Sequence, residues 1–499
     1  MMSKGLPFII FMAFILTSCV PEITRREASK SVPARFGVQS TAQSNARADT
    51  LVEVDSLSLA SADTATAGRI DWRAYYADSL LVALIDTAMK NNQELNAALQ
   101  EILVAGSEVD AKSGEYLPFL NLGARAEVEK SGKYTRNGAV EEQLDITPGE
   151  RFPEPLPNFT IGATMSWEVD IWRKLRNAKD AAALRFLSTV EGTRLIAMNL
   201  VAELANSYYE LMAMDNLLSA IDATIDIQRK ALHTIEQQKL AAKATELAVR
   251  RFEAEVLKNE GKRFTILQRI TEIENRINLL MGRYPQHVQR ASDGFLAFAP
   301  DSVNAGIPSQ LLENRPDVKK AEMELMAADL DIDVAKARFY PSLNIVAGLG
   351  ISAFNPKHIV ATPESMIYNL AGELMMPILN RAAIKAEYRN AGARQVQAAY
   401  DYERTVLNAY IEVANQLSKL NNLRLSYERK TAQVEALRAS VDIANNLFTS
   451  ARADYMEVLL TQRDALEARV ELIETKVQQM QAYVDIYRAL GGGWSALSR

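Results

Sequence analysis

The feature that most constrains the fold of this chain is a long-range internal repeat. Gly282 closes the segment Asn278-Leu279-Leu280-Met281-Gly282, and Gly491 closes Arg488-Ala489-Leu490-Gly491, 209 positions later (491 − 282). The same offset pairs Glu203, Ala205 and Asn206 with Glu412, Ala414 and Asn415, and Ala242-Lys243-Ala244 with Ala451-Arg452-Ala453. A period of about 200 residues is too long for a solenoid unit and implies a duplicated domain half.

Proline spacing shows what is duplicated. None occurs between Pro157 and Pro285 and none after Pro377, so two long runs lack the commonest helix breaker. In the first run, positions 204, 211, 218, 225 and 232 are Leu, Leu, Leu, Ile and Leu, a heptad seam. Adding 209 gives Val413, Leu420, Tyr427, Val434 and Val441, again all apolar. The pattern predicts a long helix over 174–240, about 100 Å at 1.5 Å per residue, and a shorter return helix over 247–281 capped by Gly282. A further short helix is predicted over 78–114. Two short helices stacked end to end match one long one, so each repeat supplies two helical columns.

Between the first short helix and the long one the period changes to two. Leu120, Leu122, Ala124, Ala126 and Val128 alternate with polar residues or glycine, as do Phe159, Ile161, Ala163, Met165, Trp167 and Val169. The second half repeats this at 343–351 and 366–376. Pro118-Phe119-Leu120-Asn121 matches Pro341-Ser342-Leu343-Asn344 at an offset of 223 (341 − 118), so a 14-residue difference (223 − 209) falls in the loop between paired strands. Residues 137–157, with four prolines, are the expected site of that length difference and an outward-facing loop tip. Four strands cannot close a membrane-crossing barrel, because open edges in lipid leave backbone groups unpaired. Oligomerisation is therefore expected, with its order left open by this count.

The N-terminus points to export. Lys4 precedes an apolar run over 6–16, of signal-peptide length and too short to span a bilayer, which stops at Leu16-Thr17-Ser18-Cys19. This resembles a bacterial lipobox, making Cys19 the expected lipidation site; the alternative is an incidental thiol. Cys19 is the only cysteine, which leaves neither a disulfide nor a cysteine metal site. The net charge of −6 gives no support for nucleic-acid binding. The expected domains are a signal peptide (1–18), a lipid-anchored tether (19–77) with little structure up to about residue 70, repeat 1 (78–282), an equatorial linker (283–308), repeat 2 (309–491) and a tail (492–499).

These residues resemble the TolC-type outer-membrane efflux proteins, within them the lipoprotein subgroup that includes OprM and NodT. The segments that carry the resemblance are Ile307 to Val318, Ala337-Arg338-Phe339-Tyr340-Pro341-Ser342-Leu343, Ser166-Trp167-Glu168-Val169-Asp170-Ile171-Trp172 and Ala489-Leu490-Gly491-Gly492-Gly493-Trp494. The fold class expected is α+β and mostly α. The duplicated coiled coils form a periplasmic α-barrel, and four strands per chain contribute to a trimeric twelve-stranded transmembrane β-barrel. The resemblance implies a homotrimeric channel in outer-membrane lipid that receives substrate from a periplasmic adaptor and an inner-membrane RND-type pump, with no cofactor. It also implies a gate at the helix tips, near 240–246 and 449–457. Asp454 and Tyr455 are the gate candidates, with Arg452 as a charged partner. Lys243, Ala244, Arg452 and Ala453 are adaptor-contact candidates, although a solvated charge on a turn explains Lys243 and Arg452 equally well. The family usually carries glycine at these tips, whereas here the triplets are Ala-Lys-Ala and Ala-Arg-Ala; glycine accepts a left-handed backbone that alanine resists.

Trp167 and Trp172 fit either an aromatic belt at the membrane rim or packing at a sheet-to-helix turn. His233, His287 and His358 lie far apart, and Glu272, Glu274, Glu467, Glu471 and Glu474 read as the solvated face of helices. The leading function is an efflux duct for small toxic molecules. The alternatives are an exit duct for type I protein secretion and a lipid-anchored coiled-coil scaffold without a pore. The alternating strands disfavour the scaffold, and no assembled catalytic motif supports an enzyme.

Overall fold

The computed structural model describes residues 20–33, 36, 66–298, 305–379, 381–450, 452 and 454–494. Two compact units are present, and several helices contribute residues to both. The first comprises the described parts of Met1–Glu27, Leu103–Leu187 and Met323–Tyr400; the second comprises those of Ala28–Ile102, Ser188–Glu322 and Asp401–Arg499.

The main elements run α1 (Ser79–Asn91), α2 (Gln93–Glu115), β1 (Phe119–Glu129), β2 (Leu156–Val169), α3 (Lys174–Leu240) and α4 (Glu246–Leu280). The second half repeats the order with α5 (Pro316–Ala337), β3 (Ser342–Ala353), β4 (Met366–Met375), α6 (Ala382–Thr449) and α7 (Tyr455–Ala489). The helix expected over 78–114 is broken at Asn92. The long helices reach the expected lengths, because neither contains proline and each carries an uninterrupted apolar seam.

In the first unit the four strands form one antiparallel sheet in the order β1-β2-β3-β4. Residues 130–155 join β1 to β2 and 354–365 join β3 to β4; their lengths, 26 and 12, differ by the expected 14. The longer connection is not featureless: it holds a short helix, Arg136–Gln143, capped by Thr135, and a small hairpin of Asp145–Thr147 with Glu150–Arg151.

In the second unit the two halves meet at equivalent points. The Asn92 side chain accepts from the Leu95 N–H at 2.9 Å, capping α2, and donates to the Leu280 carbonyl at the end of α4, also at 2.9 Å. Arg315, at the matching position, donates to the Ala489 carbonyl at the end of α7 at 2.7 Å, with Pro316 opening α5. Gly282 and Gly491 end α4 and α7 with positive φ, and a Cβ there would lie 2.4 Å from the Asn91 carbonyl oxygen and 2.7 Å from that of Asn314. The Arg315 guanidinium also pairs with Asp317 and Glu412, each at 2.8 Å. Burial pushes its pKa down, but these two carboxylates outweigh that and hold it above the usual value.

One domain expectation needs correction. The tether expected over 19–77 ends in packed core: Trp72 is fully buried, and Tyr75 stacks between Tyr483 and Tyr487 with ring centroids at 4.5 and 4.0 Å. The Tyr75 hydroxyl donates to the Tyr483 carbonyl at 2.7 Å, and the Tyr483 hydroxyl donates back to the Tyr75 carbonyl at 3.0 Å. Average composition over 19–77 is polar and small, which conceals three aromatic side chains (Trp72, Tyr75, Tyr76) in its last eight residues. Upstream, Gln395 exchanges two hydrogen bonds with the Arg26 backbone, at 3.0 and 2.7 Å. The linker expected over 283–308 is anchored at a few points: Val288 and Phe295 are buried, and Arg290 pairs with Asp215 at 2.6 Å and Glu274 at 2.5 Å.

Candidate functional site

The sheet separates two kinds of surface. Strand register places Leu122, Ala163, Leu349 and Tyr368 in one transverse row, with Leu120, Met165, Ala347 and Leu370 in the next. The opposite face carries Arg125, Thr160 and Ser352 in one row, then Gly123, Gly162 and Gly350 in another, and Glu168, Asn344 and Glu373 nearer the helices. Leu122 and Tyr368 are each 84 % exposed, so the apolar rows form a contiguous band of the kind that marks contact with lipid or another chain. β1 pairs only with β2, and β4 only with β3, so both edges of the sheet offer unpaired backbone groups.

The rim candidates sit where strand turns into helix. Trp167 donates to the Tyr116 carbonyl at 3.2 Å; Trp172 donates to the Pro341 carbonyl at 2.8 Å and stacks on Tyr340 at 4.7 Å. Both indoles therefore have packing roles, and Trp172 keeps 42 % of its surface exposed. Between them Asp170 caps α3, accepting from the Leu175 and Arg176 backbone N–H groups at 3.0 Å each and from the Arg176 guanidinium at 3.1 Å. Burial pushes its pKa up, but these hydrogen bonds prevail and hold the carboxyl below its usual range.

The tip candidates lie in the second unit at the turns α3–α4 and α6–α7. Ala242 adopts φ +58°, with its N–H on the Lys239 carbonyl at 2.9 Å and the Lys243 N–H on the Gln238 carbonyl at 2.8 Å. The helix thus ends on a left-handed alanine, the backbone state that the missing glycine had put in question. The Arg452 N–H reaches the Leu447 carbonyl at 2.8 Å over the same span, so Lys243 and Arg452 occupy the same place in two like turns, both exposed. Asp454 precedes α7 as its N-cap with no side-chain cap bond, and is exposed. Among the described residues neither Arg452 nor Asp454 forms an ion pair within the chain. Tyr455 and Ala244 pack together with Phe448 and Leu459 against Ile235, Ala248, Val249 and Phe252, so side chains of both hairpins share one apolar cluster. Sequence reasoning misses Phe252 and Phe448; large apolar residues within a turn or two of each tip are the signal that could have found them. Cys19 and Ala453 lie outside the described residues.

The histidines are separate: His287 faces Glu274 at 2.9 Å, His233 faces Glu236 at 4.0 Å, and His358 lies beside Phe354. Among the described residues no group of three metal-capable side chains occurs, and no helix is long and apolar enough to cross a membrane.

The family described as outer membrane efflux protein matches residues 84–283 and 307–492. The chain belongs to the outer membrane efflux protein family. This efflux protein is 27 % identical over 424 residues to the solvent efflux pump outer membrane protein SrpC of Pseudomonas putida, covering 85 % of this chain and 87 % of that one. It is 26 % identical over 494 residues to the cation efflux system protein CusC of Escherichia coli O6:H1, covering 98 % and 99 %. Its fold is similar to the open state of the Neisseria gonorrhoeae MtrE outer membrane channel, with a TM-score of 0.78 at 20 % identity over 95 % of this chain and 98 % of that one. The efflux protein is accordingly an outer-membrane channel protein and not an enzyme.

Proposed function

We infer that this efflux protein is the exit duct of a tripartite pump for small toxic molecules. The observation that carries the reading is the four-stranded sheet, apolar on one face, polar on the other and open at both edges. In lipid each unpaired edge group costs several kcal/mol, so β1 of one copy must pair with β4 of the next. Three copies close a twelve-stranded barrel with the polar face inward, and the paired long helices continue the conduit into the periplasm. Relatives named for solvent and cation efflux support small solutes as cargo.

In such a duct the remaining candidates have distinct roles. Residues 1–18 are the signal peptide and Cys19 carries the lipid. Trp167 and Trp172 stand at the periplasmic rim. Arg452, Asp454 and Tyr455 form the gate, and Lys243, Ala244, Arg452 and Ala453 meet the adaptor, which hands over cargo from an RND-type pump.

The test is deletion of this gene together with that of its adaptor. The expected result is sensitivity to solvents, dyes or metal ions. Normal tolerance with loss of a secreted polypeptide would instead identify a protein-secretion duct. Because Cys19 is the only native cysteine, a pair of introduced cysteines, one in β1 and one in β4 of the same chain, would report trimer closure as cross-links between copies.

A further inference from the structure

We propose that Glu373 is the charge-selecting residue of the pore, a site that concentrates positively charged solutes where the sheet gives way to helices. The assignment rests on the reading that the polar face of the sheet lines a pore.

A cavity of about 710 Å³ lies in the first unit, against the helix-proximal end of the polar sheet face. Six charged side chains line it: Lys112, Glu115, Glu168, Lys174, Arg338 and Glu373. Five of them are neutralised. Lys112 pairs with Glu115 at 2.9 Å, Lys174 pairs with Glu168, and Arg338 pairs at 2.5 Å with Glu387, which stands outside the lining. Glu373 alone of the six has no ion-pair partner among the described residues. It lies on the edge strand β4, opposite Asn344 and in the same transverse row as Glu168.

Neutral pairs contribute little field beyond their own dipoles, so once Glu387 is counted with its partner Arg338 the cluster carries one net negative charge, the Glu373 carboxylate. Closure of the barrel by three copies places three such carboxylates around one ring. A ring of like charge in a channel with low-dielectric walls raises the local concentration of counter-ions, and the effect weakens as salt shortens the screening length from about 30 Å at 0.01 M to about 10 Å at 0.1 M. The chemical class favoured is cationic, whether metal ions or organic amines.

The experiment is the reversal potential of the full-length protein in planar bilayers under a KCl gradient at low salt. Wild type is expected to favour K⁺ over Cl⁻. Glu373→Gln should lower that permeability ratio by about two-fold or more, and Glu373→Asp should retain it. The double variant Glu168→Gln with Lys174→Gln removes a neutral pair and should leave the ratio in place. A conducting Glu373→Gln protein with the wild-type ratio overturns the assignment while the pore reading stands. Failure of both the wild type and the gate variant Tyr455→Ala to conduct overturns both.

Discussion

Asn92 and Leu280 meet through a single side-chain-to-carbonyl hydrogen bond of 2.9 Å, and the second half of the chain builds the same joint from Arg315 and Ala489 at 2.7 Å. The donors are 223 positions apart and the acceptors 209, so the joint survives an insertion that shifted one register against the other. What differs is chemistry: asparagine satisfies a carbonyl and a helix N-terminus, whereas arginine adds two carboxylates, Asp317 and Glu412.

That difference makes the two joints unequal in strength. Asn92→Ala is expected to cost about 1–2 kcal/mol, the value of a lost cap and one neutral hydrogen bond. Arg315→Met should cost about 3 kcal/mol or more, because it leaves the partly buried Asp317 carboxylate without its cation, while Glu412 keeps Arg488 at 2.8 Å. Denaturant unfolding of the detergent-solubilised protein ranks the two, and equal losses would refute this ranking.

At the α3–α4 tip, alanine holds a left-handed backbone that costs an L-residue about 1–2 kcal/mol. Ala242→Gly relieves that strain but gains unfolded-state entropy, for a net stabilisation of about 0.5–1 kcal/mol. Gly282→Ala and Gly491→Ala should destabilise by more than that, since their added Cβ would collide with a carbonyl oxygen. Thermal unfolding of the three variants gives the signs directly.

Lys476 supplies a pH signature. Its ammonium donates to the Phe298 carbonyl and lies 4.8 Å from the Tyr427 ring centroid, and burial lowers its pKa to about 8. Between that value and the ordinary 10.5 the unfolded chain holds a proton that the folded one has released. Stability therefore rises with pH across this window; the gain is complete above 10.5 and is lost as pH falls to about 8. The stability difference between wild type and Lys476→Met should shift in favour of wild type from about pH 8 to about pH 10. A pH-independent difference would show that this lysine does not titrate there.

The tip cluster yields a conductance test of the proposed gate. Tyr455→Ala removes a ring shared by the two hairpins, and Asp454→Ala removes an exposed charge with no ion-pair partner among the described residues of its own chain. Both should raise single-channel conductance. If Tyr455→Ala alone does so, apolar packing rather than charge holds the tips together.

Much of this architecture was legible because it rests on local rules. Proline-free heptads define α3 and α6, alternation defines four strands, and Gly282 and Gly491 mark the ends of α4 and α7. Legibility stopped where partners are distant in the chain. Composition concealed Trp72 and Tyr75, the latter held by Tyr483 of α7 across 408 positions, and the nearness of Phe252 and Phe448 to the tips did not by itself say that they would join Tyr455.

By itself, the sequence determined the duplication, the helical and strand periods, the loop-length difference and the family. Only the tertiary structure decided that Ala242 takes the left-handed turn, that Trp72 and Tyr76 belong to the core, and that Glu373 stands without an ion-pair partner among neutralised neighbours. The physical reason is range: periodicity is set by residues within a turn or a strand, whereas strain, burial and charge pairing are set by whatever the fold brings alongside.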